Sequence, residues 1–139
     1  MRAKEFLKQY EYAAQRAERL RAVYEEQQEK IDAIGSTLAG DGLPHGTGVS
    51  RKTEDKAIRL SEAALDWKEA ELDALEIKGR VFNLIDGIPG VEGRILFERY
   101  IHLKTWEEIC VLLPMSWGGT HKAHRRALAI VQSKLDNRV

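Results

Sequence analysis

The residues best placed to do chemistry in this 139-residue chain gather towards its C-terminal end. Between 115 and 139, Lys122, Arg125, Arg126, Lys134 and Arg138 stand against a single acid, Asp136. A nucleic acid would be drawn to such a stretch, because each cation set beside a phosphate releases a condensed counterion. The chain as a whole carries 22 basic and 22 acidic residues, so the local excess and not the total names a partner class. His121 and His124 are three apart, but no third or fourth ligand stands near them in sequence, and no metal site is expected. Cys110, the one cysteine, falls beside Ile109 and three residues before Leu113 and reads as a small core residue. Alone it cannot form an internal disulfide, and it fits a reducing cytosol. The glycines of 35–52 lack the Gly-Lys-Ser/Thr ending of a phosphate-binding loop. The acids of 54–76 read as a wet helix face. Nothing in these patterns makes an enzyme, and no cofactor is implied.

These residues need a scaffold, and the composition says which kind. With 43% apolar, 32% charged and only 7% aromatic residues, long amphipathic helices are favoured over a thick core. The longest apolar stretch, around Val111–Met115, falls far short of the roughly 20 residues that span a bilayer. The charged start at Met1-Arg2-Ala3-Lys4-Glu5 runs straight into an amphipathic pattern, so neither a secretory signal nor a membrane is expected, and the location reads as cytoplasmic. Phe6, Tyr10, Ala13, Ala17, Leu20, Tyr24, Gln27, Ile31 and Ile34 are spaced alternately four and three apart, a heptad seam flanked by mixed charge. The spacing predicts one helix up to Gly35. A second, from about Thr53 to Asp86, is predicted to answer it with Ile58, Leu65, Leu72, Leu75 and Phe82 on its seam, supported by Ala57, Ala64, Trp67 and Ile85. Ser50 or Thr53 is its expected N-cap. A glycine-rich connection at 35–52 would join the two into an antiparallel hairpin, a seat either for a homo-oligomer contact or for a contact with a partner protein.

Asp86-Gly87-Ile88-Pro89-Gly90 reads as a stop, glycine to cap a helix end and proline to prevent continuation. Three shorter helical patterns follow. Ile95, Leu96, Tyr100, Ile101 and Leu103 mark the first; Trp106, Ile109, Cys110 and Leu113 the second; Ala123, Ala127, Leu128, Ile130 and Val131 the third. Thr105 with Glu108 forms a capping box, and Ser116 stands at the N-cap of the last helix. Three helices with a short turn between the last two describe a helix-turn-helix. The expected architecture is therefore all-α: a long, coiled-coil-like helical hairpin over 1–90, then a helix-turn-helix domain over 91–139.

At this level the residues resemble a known family. Thr105-Trp106-Glu107-Glu108-Ile109-Cys110, Ser116 and Ala127-Leu128 resemble the fourth conserved region of sigma-70 factors, and Arg99-Tyr100-Ile101 with Lys104 resembles the helix that precedes it. With Leu43-Pro44-His45-Gly46-Thr47-Gly48-Val49-Ser50 and His121-Lys122-x-His124, the chain looks like phage-encoded late-gene activators of the RinA/ArpU type. The resemblance implies that the helix from Ser116 enters the DNA major groove. It assigns DNA contacts to Ser116, Trp117, Gly118, His121 and Lys122, and phosphate contacts one turn on to Arg125 and Arg126. It also implies promoter binding with host RNA polymerase as a partner. Three positions depart from the family pattern: Pro114 where glycine is usual in the turn, the glycine pair Gly118-Gly119 in the first helical turn, and Thr120 in place of a branched apolar residue.

Val111 and Leu112 fall where sigma-like sequences carry charge, which makes them candidates for a partner contact or for packing on the hairpin. Two other roles fit the same pattern. One is a DNA-packaging component like a terminase small subunit, built into a ring by its coiled coil; the other is a polymerase-binding module without direct DNA readout.

Overall fold

The computed structural model describes the backbone of residues 1–41 and 47–138; side chains at 34–50 are outside the described residues. Among the described residues there are five helices and no strand. The first is α1 (Ala3–Asp41), the second α2 (Thr47–Asp86). Then come α3 (Gly90–Leu96), prolonged by a π-helical turn over Phe97–Ile101, α4 (Trp106–Leu112) and α5 (Trp117–Asp136). None of them is long and apolar enough to cross a membrane.

Both long helices overrun the sequence boundaries. Helix α1 continues through Gly35 to Asp41, and α2 starts at Thr47, so Ser50 and Thr53 lie inside it and neither is its N-cap. Most of the connection expected at 35–52 is therefore helical, and the remaining part of it, 42–46, lies outside the described residues. Contacts divide the chain into two compact units, one made of Met1–Ala13 with Asp73–Val139, the other of Ala14–Leu72. The division crosses both long helices, whereas the sequence suggests a boundary at 90–91.

In the 14–72 unit the seam of α1 is as the heptad spacing predicts: Ala17 is buried, and Leu20, Tyr24, Gln27 and Ile31 are half-buried. The seam of α2 is not. Ile58, Leu65 and Leu72 are exposed, while Leu60, Ala63, Trp67 and Ala70 turn inward. The same correction holds in the other unit, where Leu75 and Phe82 are exposed and Ala74, Val81 and Leu84 are buried. The inward face mixes alanines with Leu60, Trp67, Val81, Leu84 and Ile85, so Trp67 and Ile85 of the expected seam are placed correctly and its heptad row is not. Tyr24 and Trp67 stack with centroids 5.3 Å apart.

The unit holding the C-terminal helices has one continuous core. Ala3 and Leu7 from α1 join Val81, Leu84 and Ile85 from α2, Ile88 from the turn, and Leu96, Tyr100 and Ile101 from the third helix. Ala127 and Val131 of α5 complete it. A smaller cluster of Ile95, Ile109 and Ala123 lies under α4, with Val91, Trp106, Leu113 and Met115 around it. The turn between α2 and α3 is tight. Gly90 takes φ +75°, the left-handed conformation that glycine adopts without cost, after an extended Pro89. Lys134 Nζ donates to the Leu84 carbonyl at 3.4 Å, so a cation from α5 closes the end of α2. A β-carbon at Gly93 would collide with the Ile88 carbonyl.

Two substitutions test this packing. Leu7→Ala empties a fully buried site in the shared core and should destabilise the protein by about 2–5 kcal/mol. Gly93→Ala should cost at least about 1–3 kcal/mol, because backbone and not a movable side chain blocks the methyl. Urea unfolding midpoints followed by circular dichroism check both; unchanged midpoints would contradict the core described.

Candidate nucleic-acid interface

Helix α4 begins with the predicted capping box. Thr105 Oγ1 accepts from the Glu108 amide at 3.2 Å, and Glu108 Oε1 accepts from the Thr105 amide at 3.4 Å. The helix ends at Leu113 with φ −98° and ψ 16°. No residue from Leu113 to Ser116 has positive φ, so the chain turns at Pro114 without the left-handed residue that a glycine there would supply. The Met115 amide instead reaches back to the Cys110 carbonyl at 3.3 Å. Ser116 then caps α5, its Oγ accepting from the Gly119 amide at 3.0 Å.

Thr120, the departure from a branched apolar residue, is fully buried and has its hydroxyl occupied. It donates to the Ser116 carbonyl at 2.9 Å and lies 3.4 Å from Cys110 Sγ. A β-branched shape with an internally bonded hydroxyl fills the site as an apolar side chain would.

The outward face of α5 brings together most of the residues expected to meet DNA. Gly118, Lys122 and Arg125 follow one another at four- and three-residue steps and are exposed, with Trp117 and Arg126 on the margins. Trp117 is 53% exposed despite its size. A β-carbon at Gly118 would meet nothing within 4 Å, so internal packing does not demand a glycine there. Lys122 and Arg125 make no ion pair among the described residues. Arg126 does: its Nε lies 3.0 Å from Glu92 Oε1 in the first turn of α3. A backbone hydrogen bond, then the Arg126 side chain, holds the Glu92 carboxyl below its usual range.

The two histidines are not equivalent to these cations. His121 sits between two tryptophan rings, 4.7 Å from Trp106 and 4.6 Å from Trp117, and its Nε2 is enclosed without a hydrogen-bond partner among the described residues. His124 is buried, not turned to DNA or solvent as its sequence neighbours suggest. Its Nε2 shares a 2.7 Å hydrogen bond with the Tyr100 hydroxyl, and Trp106 meets its ring edge-on at 4.6 Å. Burial, reinforced by the charges of Lys4, His121 and Arg99, pushes the His124 imidazole down to about 4. Burial pushes the Tyr100 hydroxyl up to about 12, against Arg99 and with Glu11. Arg99 also stacks over Trp106 at 5.0 Å. Among the described residues no three His, Cys, Asp or Glu side chains form a metal cluster.

Behind this cluster the third helix ends on a buried carboxylate. Burial raises Glu98, but hydrogen bonds from His102 Nδ1 (3.0 Å) and Lys104 Nζ (2.9 Å) outweigh it, and the net shift is downward. The π-helical turn and the positive φ of Leu103 place both partners on that one carboxylate. Sequence spacing gives no sign of this device, nor of Glu92 as the anchor of Arg126. On α4, Val111 is 83% exposed and Leu112 is exposed beside it. With Lys104, Glu107 and Glu108 they line an open groove of about 430 Å³. Of the two alternatives for this pair, exposure is what the structure has.

The buried His124 makes stability depend on pH with a definite sign. Its folded value lies below its unfolded one, so the unfolded chain binds more protons between about pH 6.5 and pH 4, and stability falls as pH drops through that window. The loss attributable to His124 should approach about 2–3 kcal/mol near pH 4. Urea titrations at pH 7 and pH 4.5 check this: the difference should shrink in His124→Gln, and an equal pH dependence in both proteins would refute the assignment.

No protein-family model matches this chain, and no curated protein or solved structure matches it either.

Proposed function

We propose that the chain is a DNA-binding transcriptional regulator of the phage late-gene kind, and that the outward face of α5 lies against double-stranded DNA. The observation that carries this reading is the make-up of that face. Lys122 and Arg125 stand unpaired among the described residues beside a bare Gly118, on a helix whose opposite side is anchored by Ala123, Ala127 and Val131. A helix about 10–12 Å across fits a major groove about 12 Å wide. Helix α4, the Leu113–Ser116 turn and α5 are then a helix-turn-helix, with α5 as its recognition helix.

Each residue has a distinct part in this reading. Lys122 and Arg125 are free to bond phosphates or the O6/N7 edge of guanine. Arg126 is poised on the margin, and a phosphate must compete with Glu92 for it. Gly118 lets DNA approach the helix backbone, at a cost of up to about 1 kcal/mol in helix propensity relative to alanine. Trp117 offers a flat apolar surface at the same end. His121, held between Trp106 and Trp117, orients that surface more than it reads bases. The apolar pair Val111 and Leu112, rimmed by Lys104, Glu107 and Glu108, is the proposed contact for host RNA polymerase.

Fluorescence anisotropy on duplex DNA across a salt series tests the DNA contact. Wild type should bind, and Lys122→Ala and Arg125→Ala should each lower the salt slope by about one. Arg126→Ala should lower it less, and the Arg125→Ala/Arg126→Ala pair should weaken binding further. Gly118→Ala should stabilise the fold yet bind DNA more weakly. No binding by wild type at low salt would sink the proposal and leave a protein partner as the target. Val111→Asp should keep DNA affinity while lowering promoter-dependent transcription in a reconstituted polymerase assay; unchanged transcription would remove the polymerase contact.

A further inference from the structure

The back of α2 within the 14–72 unit is the largest feature the DNA-binding reading leaves unused. Ile58, Leu65 and Leu72 are 57%, 65% and 67% exposed and stand seven residues apart. A seven-residue step drifts only about 20° per repeat on a straight helix, so the three form one apolar row. Glu62 and Glu69, also seven apart, run along one side of it. Neither makes an ion pair among the described residues. The inner side of the same helix is already used, with Ala63 and Ala70 buried and Trp67 on Tyr24.

A complement to this row exists in the same unit. On α1, Arg16, Arg19 and Val23 follow at three- and four-residue steps and are exposed. Arg16 and Arg19 make no ion pair among the described residues, unlike Arg21, which holds Glu25 at 3.1 Å. We infer that the chain associates with a second copy of itself, the apolar row of α2 in one copy seated on the Arg16–Arg19–Val23 face of α1 in the other. Leu65, at the middle of the row, then lies against the aliphatic stems of Arg16 and Arg19 beside Val23, and Glu62 and Glu69 on either side of Leu65 reach in to the two guanidinium groups. Pairing α2 with its own counterpart fits less well, because antiparallel packing sets the glutamate margin of one helix against that of the other. The α2-to-α1 contact is heterologous, so it repeats from copy to copy and closes into a ring or runs on as a filament.

This inference stands apart from DNA binding and is tested without DNA. Sedimentation velocity of the full chain should show species heavier than the 15.8 kDa protomer, growing with concentration. Leu65→Gln should weaken association by about tenfold or more. Two charge reversals give the sharper test. Glu62→Arg/Glu69→Arg alone and Arg16→Glu/Arg19→Glu alone should each be monomeric, since each sets like charges across the contact. Mixed in equal amounts they should reassemble, because each variant then presents the charge that the other lacks. Circular dichroism of every variant confirms that helix content is retained. A monomeric wild type, an oligomer indifferent to both reversals, or a mixture that stays monomeric would each overturn the inference.

Discussion

The burial of Ala127 and Val131 fixes the direction of everything else on α5. Those two residues are packed among Leu7, Val81, Leu84, Leu96 and Tyr100, contributed by the start of α1, the end of α2 and the third helix. Because the inner side is held from three directions, Lys122 and Arg125 project from a helix that cannot roll. Removing the N-terminal turn of α1 would open the same core, although it lies more than a hundred residues away in sequence. Two polar contacts reinforce this long-range closure. The Gln132 side-chain carbonyl accepts from the Ala3 amide at 2.8 Å, and Lys134 reaches the Leu84 carbonyl. The helical hairpin and the C-terminal helices are therefore not stacked domains in this unit; the ends of the hairpin are part of the scaffold of α5.

Charge on this scaffold is sorted by burial. Where a titratable group enters the interior it is neutral or fully paired: His124 is held uncharged against Tyr100 and Trp106, and Glu98 is matched by His102 and Lys104. The same sorting leaves Lys122 and Arg125 on the outward side of α5 without an ion pair among the described residues. A buried charged histidine three residues from His121 would cost far more than the local hydrogen bond returns. Keeping His124 neutral also means that the positive face of α5 is made by lysine and arginine, whose charge is constant across physiological pH.

How much of this is legible in the sequence depends on what kind of information a residue carries. Caps are local, and Thr105 with Glu108 and Ser116 sit where their types and spacing place them. The seam of α1 is legible for the same reason, since period and polarity agree from Phe6 to Ile31; Ile34 lies outside the described side chains. The seam of α2 is not, because Ile58, Leu65, Leu72, Leu75 and Phe82 outweigh Ala63, Ala70 and Ala74 in apolar bulk while lying on the outside. Which side of a helix is covered is decided by its neighbour, and no single-helix pattern contains that. The burial of His124 is hidden in the same way: its partner Tyr100 is 24 residues away. Gly35, Gly40 and Gly48 read as breakers yet lie in helix, since single glycines weaken a helix by only about 1 kcal/mol each, which neighbouring turns can absorb. Of the residues expected to meet DNA, the exposed set was legible from helical period and charge. The withdrawal of His121 between two indoles was not.

Two glycines show how structure separates a residue the fold requires from one it merely tolerates. At Gly93 the Ile88 carbonyl occupies the space of a β-carbon, so packing alone accounts for the residue. At Gly118 there is open space, the backbone is ordinary helix, and the helix would be firmer with alanine. Gly119 is intermediate, since a β-carbon there would crowd the Ser116 hydroxyl that caps the helix. Gly118 shares its open setting with Gly79 of α2, so space alone does not single it out. What distinguishes it is its face, shared with Lys122 and Arg125, which make no ion pair among the described residues. On the DNA-binding reading proposed above, one external polyanion gives both features a use, since it meets the charge at 122 and 125 and approaches closely at 118.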